Sequence, residues 1–549
     1  MGKISAFLGR PGIYVFLLLF ALFFRFKHEI CFPHLTSDYA VQMGAAKNYT
    51  EGKGFSGSAV SSDDLSKPVD KQMRMWPIGY PVLLVISWHI LHNWFWAAIL
   101  LQLVGVGLLL WAMLRILLYL GVSKKIRSLF LIFIALSSTP FYYLGTTDLL
   151  TAAIFLWCVS IILKQSRNND YSLTGFIVIG LLSALNCTIR FAYIPNLVII
   201  PAFYFILWFF RKDRRMMTGV LVTAGISFLC TFVFFTLFKI DSGRTSFIQN
   251  LIHWDLFWNH LKWFDSFPIK AFFYMSPLEY RLPSAHPGII RLARFLIHAC
   301  SLFVILLFVR RYLIRDKAYR WLKERVAEKR LISEYLLLFV IVSAVVVGLM
   351  SLQSLTTGPE GNSFGPPWMP RMWTFVYATR YFALPMVMLQ ILLFAMLSEL
   401  DFRKDRLGSL LAIGLTSAAM SWSALLFVYS NYQIHAPGGN GGDSFWSAEK
   451  VDVSIFKKIG LLAEESKVPI VYSGYDSQGA PVFDYCKAIQ CTQYAQLIGG
   501  PLRNSAPVRL VMKLPAREAM NLDEQKFSDL HKAQLLMTEK KFTLYLLDL

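Results

Sequence analysis

HLTSDYAVQMGAAKNYTEGKGF, His34 to Phe55, follows an apolar run at 11–26 and ends shortly before a second one begins. Its first half has helical spacing, with Tyr39, Met43, Ala46 and Tyr49 along one edge. The sequence therefore predicts a short amphipathic helix lying against a membrane surface. A single carboxylate, Asp38, stands just ahead of that edge.

Outward from this stretch the chain reads as a membrane protein. Of its 549 residues 56% are hydrophobic and 16% charged, where a soluble protein carries about a quarter charged residues. Apolar runs recur at a length suited to a ~30 Å hydrocarbon core. Eleven spans are expected at 11–26, 78–119, 127–143, 149–164, 172–190, 194–210, 216–238, 288–309, 331–352, 381–398 and 407–429. The second is expected to start as a re-entrant or juxtamembrane piece and to cross from about residue 95.

The net charge of +20 does not point to nucleic acid, because Lys and Arg gather between the apolar runs. KKIR (124–127), KQSR (164–167), RKDRR (211–215), the segment 310–330 and FRKDR (402–406) share one side with Lys3 and Arg10. YLGTTD (143–148) and FAYIPN (191–196), on the other side, hold no Lys or Arg. By the positive-inside rule the N-terminus is cytoplasmic, and eleven crossings put the C-terminus outside. RFKHEICFP, after the first span, has no small-residue cleavage pattern, so that span is expected to remain as an anchor.

The outer side then receives the loops 27–77 and 239–287 and the chain beyond 430. NLIHWDLFWNHLKWFDSFP (250–268) is rich in Trp and Phe and is expected to lie on the outer leaflet. A transmembrane domain, 1–430, is followed by a Gly-rich linker, 431–446, and a small α/β domain, 447–549. In that domain 447–466 and 527–542 read as helices, and 467–476, 507–514 and 543–549 as strands.

Cys486 and Cys491 are five apart in the outer domain, where an oxidising compartment permits a disulfide. Cys158, Cys187, Cys230 and Cys300 fall in apolar spans, as small buried hydrophobes do. The chain has no CxxC or HExxH array, hence no metal-site motif.

Charges at bilayer depth cost several kcal/mol by most scales, so those that persist usually face a cavity or mark function. Five lie at the outer ends of spans: Asp38, Asp148 in GTTDLL, Arg190 in TIRFAYIP, and Arg371 and Arg380 in PRMWTFVYATRYFALP. Each has a plainer explanation, an N-cap for the acids and snorkelling for the arginines. All five at one membrane face nevertheless suggest a single site.

SDYAVQMGAAKNYTEGKGF (37–55), WPIGYPVLLVISWHIL (76–91), TTDLLTAAIF (146–155), IRFAYIP (189–195) and TRYFALP (379–385) occur in an order that resembles the GT-C membrane glycosyltransferases. The branch most similar is that of dolichyl-phosphate-mannose protein mannosyltransferases and aminoarabinose transferases. Many protein mannosyltransferases carry two adjacent acids in the first outer loop, whereas Tyr39 follows Asp38 here. The resemblance implies a polytopic α-helical GT-C-like fold that moves a sugar from a polyprenyl phosphate to an extracytoplasmic hydroxyl, with inversion. Asp38 would be the general base, with Asp148 the other catalytic candidate, the base if Asp38 is not. Lys53, Arg190, Arg371 and Arg380 would hold the donor phosphate. The acceptor would be a glycan, lipid or protein, and the compartment a bacterial inner (cell) membrane. A divalent metal stays open, with no motif for one. The tail would help choose the acceptor. A flippase of lipid-linked sugars, or a ligase joining a glycan to a lipid, are the alternatives.

Overall fold

The computed structural model describes residues 10–31, 37–60, 64–72, 77–137, 146–238, 267–273, 287–309, 331–352, 382–399, 406–435, 461–462, 465–468, 470–474, 489–490, 505–515, 534–538 and 542–548. In a bilayer every backbone N–H and C=O must be satisfied within the chain, so apolar runs become helices. Those described are α1 Pro11–Cys31, α2 Ser37–Thr50, α3 Gly79–Leu91, α4 Trp94–Tyr119, α5 Lys124–Leu136, α6 Thr146–Asn168 and α7 Leu173–Ile189. They continue with α8 Asn196–Arg211, α9 Arg214–Leu237, α10 Pro287–Val309, α11 Leu331–Leu352, α12 Ala383–Ser398 and α13 Arg406–His435.

Every apolar stretch expected to span overlaps one of these helices, and the stretch 78–119 divides at His92, in the left-handed region, into α3 and α4. Among the described residues six helices are long and apolar enough to cross a membrane, lying in α4, α6, α8, α9, α11 and α13. Four shorter apolar helices lie in α3, α7, α10 and α12. Leu221, Leu229, Phe232 and Leu237 on α9, Leu292 and Phe295 on α10, and Leu425 and Val428 on α13 are exposed. So much apolar surface suits lipid rather than water. The chain is a polytopic α-helical membrane protein.

The chain forms two compact units, one of residues 1–28 with 104–433, the other of 29–103 with 434–549. In the larger unit the core runs through α5, α6, α8 and α12, and fifteen residues of α12, Ala383 to Leu397, are buried. Helices α7 and α9 meet along small residues, Gly180, Ser183 and Cys187 against Gly219, Thr223 and Ser227. A Cβ on Gly219 would stand 2.8 Å from the Phe176 ring, and one on Gly180 3.0 Å from Ile226. Close approach of this kind drives helix association in lipid, where burial of apolar surface gives no advantage.

Within the loop expected at 239–287, a short segment packs against the bundle. Residues 267–273 begin with one helical turn, Phe267–Lys270, and Ile269 to Phe272 are buried. The Gln390 amide donates to the Ala271 carbonyl at 2.6 Å. Gln390 is seven residues into α12, so the segment reaches ~10 Å along that helix from its start.

The smaller unit holds α2, α3, the start of α4 and two sheets. Strands β1 Ser56–Val60 and β2 Pro68–Gln72 pair antiparallel. Five further strands, β3 Ile470–Gly474, β4 Ile489–Gln490, β5 Arg509–Pro515, β6 Gln534–Thr538 and β7 Phe542–Asp548, form a sheet in the order β4-β3-β5-β7-β6. Pairing is parallel around β3 and antiparallel around β7. Three of these match expected strands. The helix expected at 527–542 is corrected: its QLLMT portion is β6. Charged Glu539 to Lys541 follow it, and β7 offers an edge whose hydrogen bonds outweigh a weak helical period. Residues 431–435 of the expected linker continue α13. The rest of the linker, most of 447–466, Cys486, Cys491 and the aromatic stretch 250–266 lie outside the described residues.

Candidate functional site

The sequence places Asp38 in the first turn of α2, and the structure confirms the helix. The single apolar edge is corrected. Gln42, Met43, Ala45, Ala46 and Asn48 are all buried, while Tyr49 is half exposed and stacks on Phe55 with centroids 4.3 Å apart. Helix α2 packs against both α3 and β1, so it is enclosed by protein on more than one side. The buried Asn48 amide ties its end to β1, donating to the Ser56 carbonyl at 2.8 Å and to Ser56 Oγ at 3.2 Å. The chain then turns through Gly52 and Gly54, at φ +79 and +70, values only glycine takes without strain. Lys53 sits between them, solvent-exposed, its Nζ 2.9 Å from Glu51 Oε2.

In the larger unit the structure brings Asp148 and Arg190 together. Asp148 lies in the first turn of α6, and Arg190 is the residue on which α7 ends, in extended conformation. Arg190 Nε is 2.6 Å from Asp148 Oδ1, and its Nη1 donates to Thr147 Oγ1 at 2.7 Å. The Thr151 hydroxyl donates to the carbonyls of Thr147 and Asp148, which fixes the turn. Asn186, one turn before Arg190, is fully buried. Arg371 and Arg380 lie outside the described residues.

Two cations in this unit escaped the sequence reading. Arg25 is buried in the second half of α1, its Nη2 donating to the Ala135 carbonyl at 3.1 Å. Lys270 is buried within the inserted segment. Arg25 could have been flagged as a charge inside an apolar helix. Nothing in the sequence around Lys270 shows that its loop enters the bundle.

At the other end of α6 lies a second buried pair, Arg211 with Glu334 of α11. Arg211 Nη1 also donates to the Tyr171 hydroxyl at 3.1 Å, which stands 3.1 Å from Ser166 Oγ. Burial, and then the Glu334 carboxylate, push the Tyr171 phenol above its ordinary range. Among the described residues no cluster of three or more His, Cys, Asp or Glu could hold a metal ion.

No family model matches the sequence, and no curated protein matches it at a significant level. Solved structures do match. A crystal structure of ArnT from Cupriavidus metallidurans bound to undecaprenyl phosphate is 11% identical, with 98% of each chain covered and a TM-score of 0.50. The fold is that of ArnT. The same protein in the apo state matches at 12% identity over 92% of each chain, with a TM-score of 0.39. The GT-C architecture implied by the sequence motifs is thus borne out as a fold. It extends over nearly the whole chain, including the region beyond 430 that the motifs do not reach.

Proposed function

We propose that this chain is a membrane glycosyltransferase that moves a sugar from a polyprenyl phosphate to an extracytoplasmic acceptor hydroxyl. The observation that carries the reading is the ArnT fold over 98% of the chain, in a protein crystallised with undecaprenyl phosphate. Such a lipid requires a bilayer for its tail and cations for its phosphate.

The chemistry assigns roles to this chain's residues. Asp38 takes the proton of the acceptor hydroxyl, whose oxygen forms a bond to the anomeric carbon from the face opposite the phosphate. The bond from that carbon to the phosphate oxygen breaks, and the polyprenyl phosphate leaves with the electron pair. Single displacement inverts the anomeric centre. Arg190, with Lys53, Arg371 and Arg380, stabilises the charge that grows on the leaving phosphate. Asp148 and Thr147 hold the Arg190 guanidinium in place, the first as its ion-pair partner at 2.6 Å and the second by accepting from Nη1. That makes Asp148 an orienting group rather than a second base. The buried cations Arg25 and Lys270 add positive charge to the same unit.

Reconstituted protein supplied with labelled polyprenyl-phosphate sugars tests the reading. Label should leave the lipid and appear on a hydroxyl acceptor, or on water at a slower rate. Label that crosses the bilayer still attached to its lipid would make the chain a flippase instead.

A further inference from the structure

The smaller unit joins segments that the sequence separates by hundreds of residues. Asp64, in the turn between β1 and β2, is buried, and its Oδ1 accepts from the backbone N–H of Ser66 and of Ser505, each at 3.0 Å. Ser505 lies 441 positions further along the chain, four residues before β5 of the tail sheet. The Ser66 and Ser505 hydroxyl oxygens are 2.9 Å apart, and Ser505 N also reaches Ser66 Oγ at 3.3 Å. Lys67 Nζ closes the far side of the carboxylate, 3.0 Å from Oδ2. Strand β1 lies beside β4 of the tail as well. The Ser505 hydroxyl and then Ser66 hold the Asp64 carboxyl well below the usual carboxylate range.

On the other side of β1 lies the helix that carries Asp38. It packs on β1 and is tied to it through Asn48 and Ser56. Contacts therefore run from the tail sheet through Ser505 and Asp64 to Ser66, along the chain into β2, across its ladder to β1, and through Ser56 and Asn48 to α2. We propose that Asp64 is a positioning residue: by fastening the tail to the first outer loop it fixes α2, and hence Asp38, in the orientation that proton removal requires. This rests on the assignment of Asp38 as the base. It makes the C-terminal domain a part of the catalytic scaffold, and not only a selector of acceptors.

A positioning role acts on turnover rather than on donor binding. Asp64→Ala is expected to lower kcat about tenfold, as a small misplacement of a catalytic group does, while the donor KM stays within about twofold. The discriminating step adds Ser66→Cys and Ser505→Cys to the Asp64→Ala chain. The two hydroxyl oxygens are 2.9 Å apart, so these side chains meet directly and are the pair to crosslink. Oxidation should restore most of the lost kcat and reduction should remove it again, because the bond replaces the lost fastening without replacing the carboxylate. An unchanged kcat in Asp64→Ala, a loss that oxidation does not repair, or a crosslink that fails to form would each overturn the proposal. If Asp64→Ala does not fold, the cysteine pair is placed in the otherwise native chain. Full activity when oxidised is then expected, and inactivity when oxidised overturns the proposal. Adding Asp38→Asn to the oxidised Asp64→Ala chain separates the two assignments. Loss of the rescue supports both, whereas rescue that survives Asp38→Asn retains the coupling and rejects Asp38 as the base.

Discussion

Two buried arginine–carboxylate pairs stand at opposite ends of one helical unit, and they are built differently. Arg190 and Asp148 meet where α7 ends and α6 begins, while Arg211 and Glu334 meet near the other end of α6, about 27 Å away by helical rise from Asp148 to Ser166. The Glu334 side chain is wholly enclosed and that of Arg211 3% exposed; Arg190 retains 10%. Arg211 lies in a cage with Tyr171 and Ser166 that binds three helices and a turn together. Arg190 instead stands just after its helix ends, followed by a tight turn, Phe191–Tyr193, and is held by Asp148 and Thr147 of α6. Burial of an ion pair thus does not separate function from structure. The two pairs differ instead in placement: one stands at a chain turn with some side-chain exposure left, and the other is enclosed among three helices.

The largest effect is expected at the enclosed pair. Glu334→Ala leaves Arg211 charged and buried without its carboxylate, which costs about 3–5 kcal/mol. The melting temperature in detergent should fall steeply or folded protein should fail to accumulate. A Glu334→Ala protein of native stability with impaired transfer would reverse the comparison. Replacing both partners by apolar residues, Arg211→Met with Glu334→Leu, should be far milder than either single change, since neither desolvated charge remains.

At the other pair the effect should fall on function. Arg190→Lys keeps a positive charge but loses the planar guanidinium that pairs with Asp148 while donating to Thr147, so donor affinity should drop roughly tenfold with little loss of thermal stability. Lipid-binding measurements alongside the melting curve check this. Loss of stability with unchanged donor binding would make this pair a second lock.

Of intermediate size is the seam between α7 and α9. Gly219→Ala should destabilise by about 1–3 kcal/mol, because its methyl group would overlap the Phe176 ring. The smallest effect concerns pH. The folded-state pKa of Asp64 is depressed, so its contribution is present above the unfolded value near 3.9 and is lost as pH falls from there towards the folded value. Hydrogen-exchange protection at the Ser505 amide should therefore be steady, once corrected for intrinsic exchange, from pH 8 to about pH 5. A decline near neutral pH would point to another titrating group.

The helical part of the fold was legible because lipid leaves an apolar run few options. Expected spans such as 149–164 and 407–429 fall within α6 and α13 for that reason. Asp148 and Arg190 could be picked out as charges beside apolar runs, though not as partners 42 residues apart. Less was legible wherever tertiary contacts override a local pattern. QLLMT pairs as β6 because β7 lies beside it, and α2 loses its single apolar edge because α3 and β1 both cover it. Lys270 and Asp64 illustrate the remaining gap. One is carried into the bundle by a loop and the other finds its partner 441 residues away; neither event leaves a periodic trace.

The central claim is that sugar leaves a polyprenyl phosphate in a displacement assisted by Asp38. Its most direct test is the single-turnover rate of labelled polyprenyl-phosphate sugar on reconstituted protein, native against Asp38→Asn. The account predicts equal donor binding and a rate lower by roughly 10²–10⁴ in the variant. A variant that transfers sugar at the native rate, or a native protein that never releases sugar from its lipid, would contradict it.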